Sequence, residues 1–448
     1  MSTKSKTIKI DGLTYDVTNF DHPGGSIIGY AGTNGDDAGN VFREFHARSH
    51  VAKRYLASLP RESANDDGAT NQINDEIQQD YLNMRAKLVD LGCFESDPIH
   101  VYFRLMEIAF FFGLGVWLAP YNIYASMFAF IMFKTRCGWV QHEGGHLSLT
   151  GYKPIDRGIQ MLTMGLAGGM SGTLWNAMHH KHHATPQKIK HDIDLDTTPA
   201  VAFFKTAFEE NTNGRNASQY MNRWWMRFQS WLFLPVVNGV IVHGFWTYYL
   251  HPKRVITAIR TAPTAQNKWM HVAEAACMLS CHIILPAIFY ARGGYSPLAA
   301  YALLVLCNFW NVIYLFGHFS LSHTFTDVVP ETENPRWFEY AIGHSVNIGT
   351  DSALVTWVMG YLNFQIEHHL FPSMPQYKNV IASRYVRDFC AKWDGTNNLV
   401  LKYREYGYWD AWRKMFANLS DVGQHYFENG ITHPFEKNNV TRCSSKNK

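Results

Sequence analysis

The chain has 448 residues, with 40 lysines and arginines against 37 aspartates and glutamates, for a formal net charge of +3. Both signs are mixed along the chain, so there is no basic stripe of the kind that tracks phosphates, and nucleic acid is excluded as a partner. A hydrophobic fraction of 47% with 15% aromatic residues is rich for a soluble chain of this length, so a membrane-embedded portion is expected. The 22 histidines are more than packing alone requires, and imidazole is the commonest transition-metal ligand.

The N-terminus, MSTKSKTIKI, lacks the apolar run of a secretory signal, so the first domain is expected to stay in the cytosol. Residues Thr7 to Val17 alternate apolar and polar around Asp11-Gly12, which predicts a short hairpin opening a small mixed domain. That domain is expected to end near Pro60, within residues 1–62. The polar run RESANDDGATNQINDE reads as a linker, followed by an amphipathic helix from about Glu76 to Leu91, so residues 63–95 are assigned to linker and helix.

Apolar stretches follow at Leu105 to Leu118, Tyr121 to Phe133, Trp231 to Leu250, Val272 to Ala291 and Leu298 to Phe316. The loop after the third, HPKRVITAIRTAPTAQNK, is basic, and basic loops stay cytosolic. The third stretch is therefore expected to lie along the interface, leaving four transmembrane helices in two hairpins. In that topology residues 134 to 270, the tail from His318 and the N-terminal domain all face the cytosol. The sequons at Asn216, Asn418 and Asn439 then stay unmodified. The seven cysteines are scattered, so neither a disulfide framework nor a zinc knuckle is expected.

The run FDHPGGSIIGYAGTNGDDAGNVFREFHARS offers His22 before Pro23, Gly24 and Gly25, and later His46 beside Phe42 and Phe45. Two imidazoles on opposite walls of a small pocket ligate a six-coordinate, electron-transferring heme. His50 is the rival for the second ligand. At these residues the segment 7–60 resembles the cytochrome b5 family, which implies His22 and His46 as axial ligands of heme b.

Three histidine clusters lie further on. WVQHEGGH places His142 and His146 at i and i+4, on one helix face. WNAMHHKHHATP places His179, His182 and His183 at i, i+3 and i+4. NFQIEHHLFP places Gln365, His368 and His369 at the same offsets. Any one cluster can be a polar helix face, but three at matching spacing beside membrane stretches point to metal. Zinc is the competitor, because HEGGH contains the HxxxH spacing of metalloproteases. The surplus of histidines and a neighbouring heme domain, for which hydrolysis has no use, favour iron with oxygen.

These motifs resemble the three histidine boxes of membrane fatty acid desaturases, and the glutamine of QIEHH resembles front-end desaturases fused to cytochrome b5. The resemblance covers nearly the whole chain, including HDIDLDTTP and GHFSLSH, where His323 matches an isolated additional ligand. It implies a small α+β cytochrome b5 domain fused to an all-α integral membrane desaturase domain (residues 96–448) with a cytosolic helical cap. It also implies two iron ions on His142, His146, His179, His182, His183, His323, His368 and His369, with Gln365 in the active centre. His180 departs from the pattern, standing where many relatives have Asn. Asp192, Asp194 and Asp196 are candidates to orient the imidazoles. His318 and His344 are open candidates, whereas His243, His251, His271, His282, His425 and His433 lack partners at metal spacing.

The implied activity is O2-dependent insertion of a cis double bond into a polyunsaturated fatty acyl chain. Electrons would come from NADH through a cytochrome b5 reductase, at the endoplasmic reticulum membrane. RCGWVQHEGGH, DLDTTPAVAFF and GYLNFQIEHHLFPSMPQ look most like algal acyl-CoA delta-6 desaturases, with an acyl-lipid substrate and delta-5 as alternatives. A sphingolipid delta-8 desaturase and a fatty acid hydroxylase rank after these. A heme-only electron carrier with structural histidine clusters is the reading from another class.

Overall fold

The computed structural model describes residues 6–22, 28, 37–47, 49–63, 72–189, 191–192, 194–195, 197–205, 222–330, 333–396 and 399–429. Pro23, Gly24, Gly25, Asp196, Asn216, His433 and Asn439 lie outside them.

At the N-terminus β1 (Thr7–Ile10) and β2 (Leu13–Asp16) pair antiparallel, with Ile10 opposite Leu13. The two linking residues, Asp11 and Gly12, have φ of 49° and 77°. Two consecutive positive φ angles give the hairpin turn whose twist matches the strands. Helices α1 (Gly39–Phe45) and α2 (His50–Ser58) come next, and β3 (Arg61–Ser63) then pairs with the free edge of β2. The run read as linker thus begins with a strand, because backbone pairing along β2 compensates for its lack of apolar side chains.

Helix α3 spans Gln72–Asp90, starting four residues before the expected Glu76. Its Ile77, Tyr81 and Leu88 are fully buried among Phe338, Phe371 and Phe389, from the last third of the chain. It is therefore part of the main core and not a spacer.

Helices α4 (Pro98–Leu118) and α5 (Ile123–His146) pack side by side, as do the helices Ala265–Gly293 and Pro297–Ser320. Phe130, Phe289 and Leu304 close the core between the two pairs. Among the described residues, four helices are long and apolar enough to cross a membrane: Pro98–Leu118, Gln229–Thr261, Ala265–Gly293 and Pro297–Ser320. Their outward faces carry exposed apolar side chains such as Phe110, Tyr249, Ile283 and Trp310. Such faces need a hydrocarbon solvent.

This set differs from the expected one in two places. Helix α5 is absent from it because its second half carries Lys134, Arg136 and Glu143, all buried inside the bundle. The stretch expected along the interface belongs to Gln229–Thr261, a 33-residue helix that satisfies the length and composition of a span. Pro235 lies in a π-helical segment of that helix, Phe233–Val242. Proline removes a backbone donor, and the wider turn accommodates the loss. The six described cysteines are unpaired.

Candidate metal centre

Four elements bring the histidines together. Helix α5 delivers His142 and His146 and stops at once, since Leu147 adopts a left-handed φ of 57°. The pair Gly144-Gly145 lets neighbours close on it: a Cβ on Gly144 would lie 2.7 Å from the Asp156 carbonyl, and one on Gly145 would strike Trp175. Helix α7 (Gly172–Ala184) carries His179, His182 and His183. The Ser171 hydroxyl caps its N-terminus and in turn donates to buried Glu274. His323 lies just beyond the helix Pro297–Ser320.

The short helix Gln365–Leu370 supplies His368 and His369. Asn347 accepts from the Ile366 amide, and Asn347 and Tyr403 donate to the two Glu367 oxygens, each at 2.8 Å. Burial lifts Glu367 to about 7 against these donors.

The ring nitrogens converge into two buried groups. His142, His146, His179, His183 and His368 each offer a ligand atom within 4.8 Å of the others, and His182, His323 and His369 do the same. All eight expected histidines are present. The Nε2 of His179 lies 3.0 Å from that of His142 and 3.1 Å from that of His183. Two nitrogens bound at right angles to one metal at about 2.1 Å lie about 3.0 Å apart, so the spacing is that of neighbouring ligands. Burial pulls His146, His183, His368 and His369 well below the ordinary histidine range, leaving neutral rings with a lone pair to offer. Both ring nitrogens of His368 and of His369 are buried without a hydrogen-bond partner, which apolar packing alone would not tolerate and a metal ion would relieve.

Three of the rings are held from behind. His182 Nδ1 lies 2.8 Å from Asp192 and His179 Nδ1 lies 3.0 Å from Asp194. Burial pushes Asp192 upward, but the His182 interaction and the Gln187 amide outweigh it and hold the carboxyl below its usual value. His323 Nδ1 donates to the His344 carbonyl at 3.1 Å. A proton fixed on Nδ1 leaves Nε2 bare for a metal.

Gln365 approaches the group of three, its amide 3.2 Å from His323 Nε2. Gln376, a residue that the motifs did not single out, meets His142 Nδ1. The amide nitrogen faces the ring there, and a half-turn of the amide about its last bond puts the unpartnered oxygen in its place, where it accepts the Nδ1 proton. It sits seven residues after His369 with no periodic signal to mark it.

Several candidates fall elsewhere. His180 lies in neither group, and its Nε2 faces the Gly145 carbonyl at 3.3 Å. His318 bonds Tyr314 and Tyr408, while the His344 ring bonds the Asp327 carbonyl. His243, His251, His271, His282 and His425 find partners in Thr247, Ser171, Glu274, Tyr301 and Asn429. Glu143, which a metalloprotease would use as its base, lies 3.1 Å from buried Arg104.

In the N-terminal unit the His22 and His46 rings are 6.0 Å apart at 87°, and His50 is exposed on α2. Two imidazoles gripping one iron from opposite sides have centres roughly 6 Å apart, because each metal–nitrogen bond is about 2 Å. His46 Nδ1 donates to the Phe42 carbonyl at 3.0 Å, which turns Nε2 outward.

The fatty acid desaturase profile matches residues 116–396. The chain is 38% identical to an acyl-lipid (8-3)-desaturase of Thraustochytrium sp, over 94% of this chain and 93% of that protein. It is 36% identical to an acyl-lipid (8-3)-desaturase of Rebecca salina, over 93% and 91% respectively. It is 26% identical to delta(8)-fatty-acid desaturase 2 of Arabidopsis thaliana, over 90% and 87%. With eight histidines converging in two buried groups and a family match of this extent, the chain belongs to the fatty acid desaturase family.

Proposed function

We propose that the protein is a front-end desaturase that inserts a cis double bond into a polyunsaturated acyl chain carried by a lipid. The observation that carries this reading is the pair of buried histidine groups, in which His179 and His182 are held from behind by Asp194 and Asp192. Two iron ions held by these groups, with O2, supply the oxidising power that an unactivated methylene requires and that side-chain acids and bases lack. The chain's own residues set up that chemistry. Asp192, Asp194, Gln376 and the His344 carbonyl fix the imidazole protons, and burial excludes water. The Gln365 amide is poised to hold a metal-bound ligand or an iron directly.

Electrons come from the N-terminal unit, read as a cytochrome b5-like domain with heme b between His22 and His46, reduced by NADH-cytochrome b5 reductase. The ring spacing of 6.0 Å supports that reading. The protein is assigned to the endoplasmic reticulum membrane, with the heme and metal sites facing the cytosol.

The names of the relatives at 38% and 36% identity favour an acyl-lipid over an acyl-CoA substrate. Carried to this chain, an (8-3) relation puts the new bond three carbons to the carboxyl side of one at carbon 8. This favours delta-5 over the delta-6 reading of the sequence. Expression in yeast fed dihomo-gamma-linolenic, linoleic and alpha-linolenic acids, with gas chromatography of the lipid fractions, tests both points. Delta-5 product from dihomo-gamma-linolenic acid is expected. Conversion of only the two shorter acids would restore delta-6, and no product from any acid would sink the activity.

A further inference from the structure

Helix α1 ends one residue before His46, and its other side chains join the N-terminal unit to the main core. Glu44 is completely buried, pairs with Arg85 and accepts from the Tyr81 hydroxyl, both on α3. Asn40 and Gln78 exchange two hydrogen bonds, at 2.8 and 3.0 Å. A buried carboxylate left without its partners is strongly destabilising, so this contact fixes α1 against α3 in one orientation.

The next side chain on that helix, Phe45, then sits at the boundary. It is bonded in sequence to His46, and its ring lies 5.6 Å from that of His180 and 5.8 Å from that of Trp337. The His180 ring lies 5.7 Å from that of His146, in the five-histidine group. Its Nε2 donates to the Gly145 carbonyl, on the residue just before His146. His180 stays outside both ligand groups, so these contacts are what its side chain offers.

We propose that Phe45 and His180 form the bridge that carries electrons from the heme held by His22 and His46 to the metal centre at His146. The inference rests on the functional reading above and deepens it. Electron transfer weakens steeply with the gap between donor and acceptor, and one covalent step from His46 to Phe45 followed by neighbouring rings to His180 and His146 shortens that gap. Each passage oxidises the heme iron from ferrous to ferric and reduces one iron of the centre from ferric to ferrous, with no bond made or broken. Two passages, two hydrogens from the acyl chain and two protons from water turn one O2 into two waters. Trp337 offers a second branch, through its hydrogen bond to the Leu370 carbonyl at 3.1 Å. That branch leaves the rings for the backbone and is the slower one.

The full-length protein, purified with lipid and reduced at its heme by a pyridine-nucleotide-dependent flavoprotein reductase, is mixed with O2 and acyl substrate while heme absorbance is tracked by stopped flow. Phe45→Leu and His180→Asn are expected to slow heme reoxidation about tenfold, with heme spectrum and iron content unchanged. Phe45→Tyr and Trp337→Phe should keep the wild-type rate. When dithionite reduces the metal centre directly, single-turnover product in the slowed variants should match wild type, which locates the defect in transfer. Wild-type reoxidation in Phe45→Leu with heme and iron intact overturns the bridge, as does slowing by Trp337→Phe alone. If His180→Asn loses iron, Phe45→Leu, whose ring touches neither metal group, decides. A wild-type protein without heme absorbance overturns the functional reading itself, a separate result.

Discussion

Gln376 lies 234 residues after His142 in the chain, yet its side-chain amide meets the Nδ1 of that ring. With the amide oxygen turned to the ring, the contact fixes the proton on Nδ1 and leaves Nε2 for a metal. Partners of this kind change metal affinity by roughly ten- to a hundredfold. Gln376→Leu is therefore expected to lower iron retention by about that factor, while Gln376→Glu, which can still accept the Nδ1 proton, retains it. Iron per chain after dialysis against a graded chelator series checks this. Equal retention in the leucine variant and wild type would show the contact to be incidental.

The two aspartates behind the second histidine box should differ in weight. Asp192 is 5% exposed and also accepts from the Gln187 amide, whereas the Asp194 side chain is a quarter exposed. Removing a buried partner costs more than removing a solvated one. Asp192→Ala is expected to lose about tenfold or more in metal affinity and Asp194→Ala only a few-fold. The reverse order in metal titrations would mean that water already replaces Asp192.

Gln365 holds, relative to His368, the position that a histidine fills in the second box. Its amide reaches the group of three histidines at His323. Gln365→Ala is expected to nearly abolish desaturation with protein level and heme content intact, and Gln365→His to keep part of it by restoring an imidazole. Turnover at the wild-type level in the alanine variant would reduce Gln365 to a spacer.

Either His22→Ala or His46→Ala is expected to abolish the heme absorbance and reductase-driven desaturation, because each removes one of the two proposed axial ligands. Metal analysis should still find iron at the histidine boxes. Full activity of these variants in a host lacking free cytochrome b5 would rule out the fused domain as donor.

The helix Gln229–Thr261 is long enough to cross, but the segment 252–268 at its end is basic. We expect that segment to stay cytosolic. A glycosylation acceptor inserted there should remain unmodified, and modification would make this helix a span and reverse the orientation of the helices Ala265–Gly293 and Pro297–Ser320.

Much of the centre was legible in the sequence because helical spacing is a local property: His142 with His146, and His182 with His183 and His179, share faces whatever packs around them. The hairpin at Asp11-Gly12 was legible for the same reason, since its turn chemistry is contained in two residues. Locality also set the limit. Which histidines share a group was decided by tertiary packing, which separates His182 from its neighbours on α7 and joins it to His323 and His369. His180, one residue from His179, was turned toward Phe45 and not toward the metal groups by the rotation of that helix. The second half of α5 carries charges and yet is buried, because the bundle around it, and not its own composition, supplies partners for Lys134, Arg136 and Glu143. Gln376 and the Glu44–Arg85 contact depend on segments far apart in the chain, and no periodicity encodes a contact of that kind. The sequence determined the ligand types and their helical faces; only the folded chain decided which faces meet, because burial and close approach are properties of the whole assembly of helices.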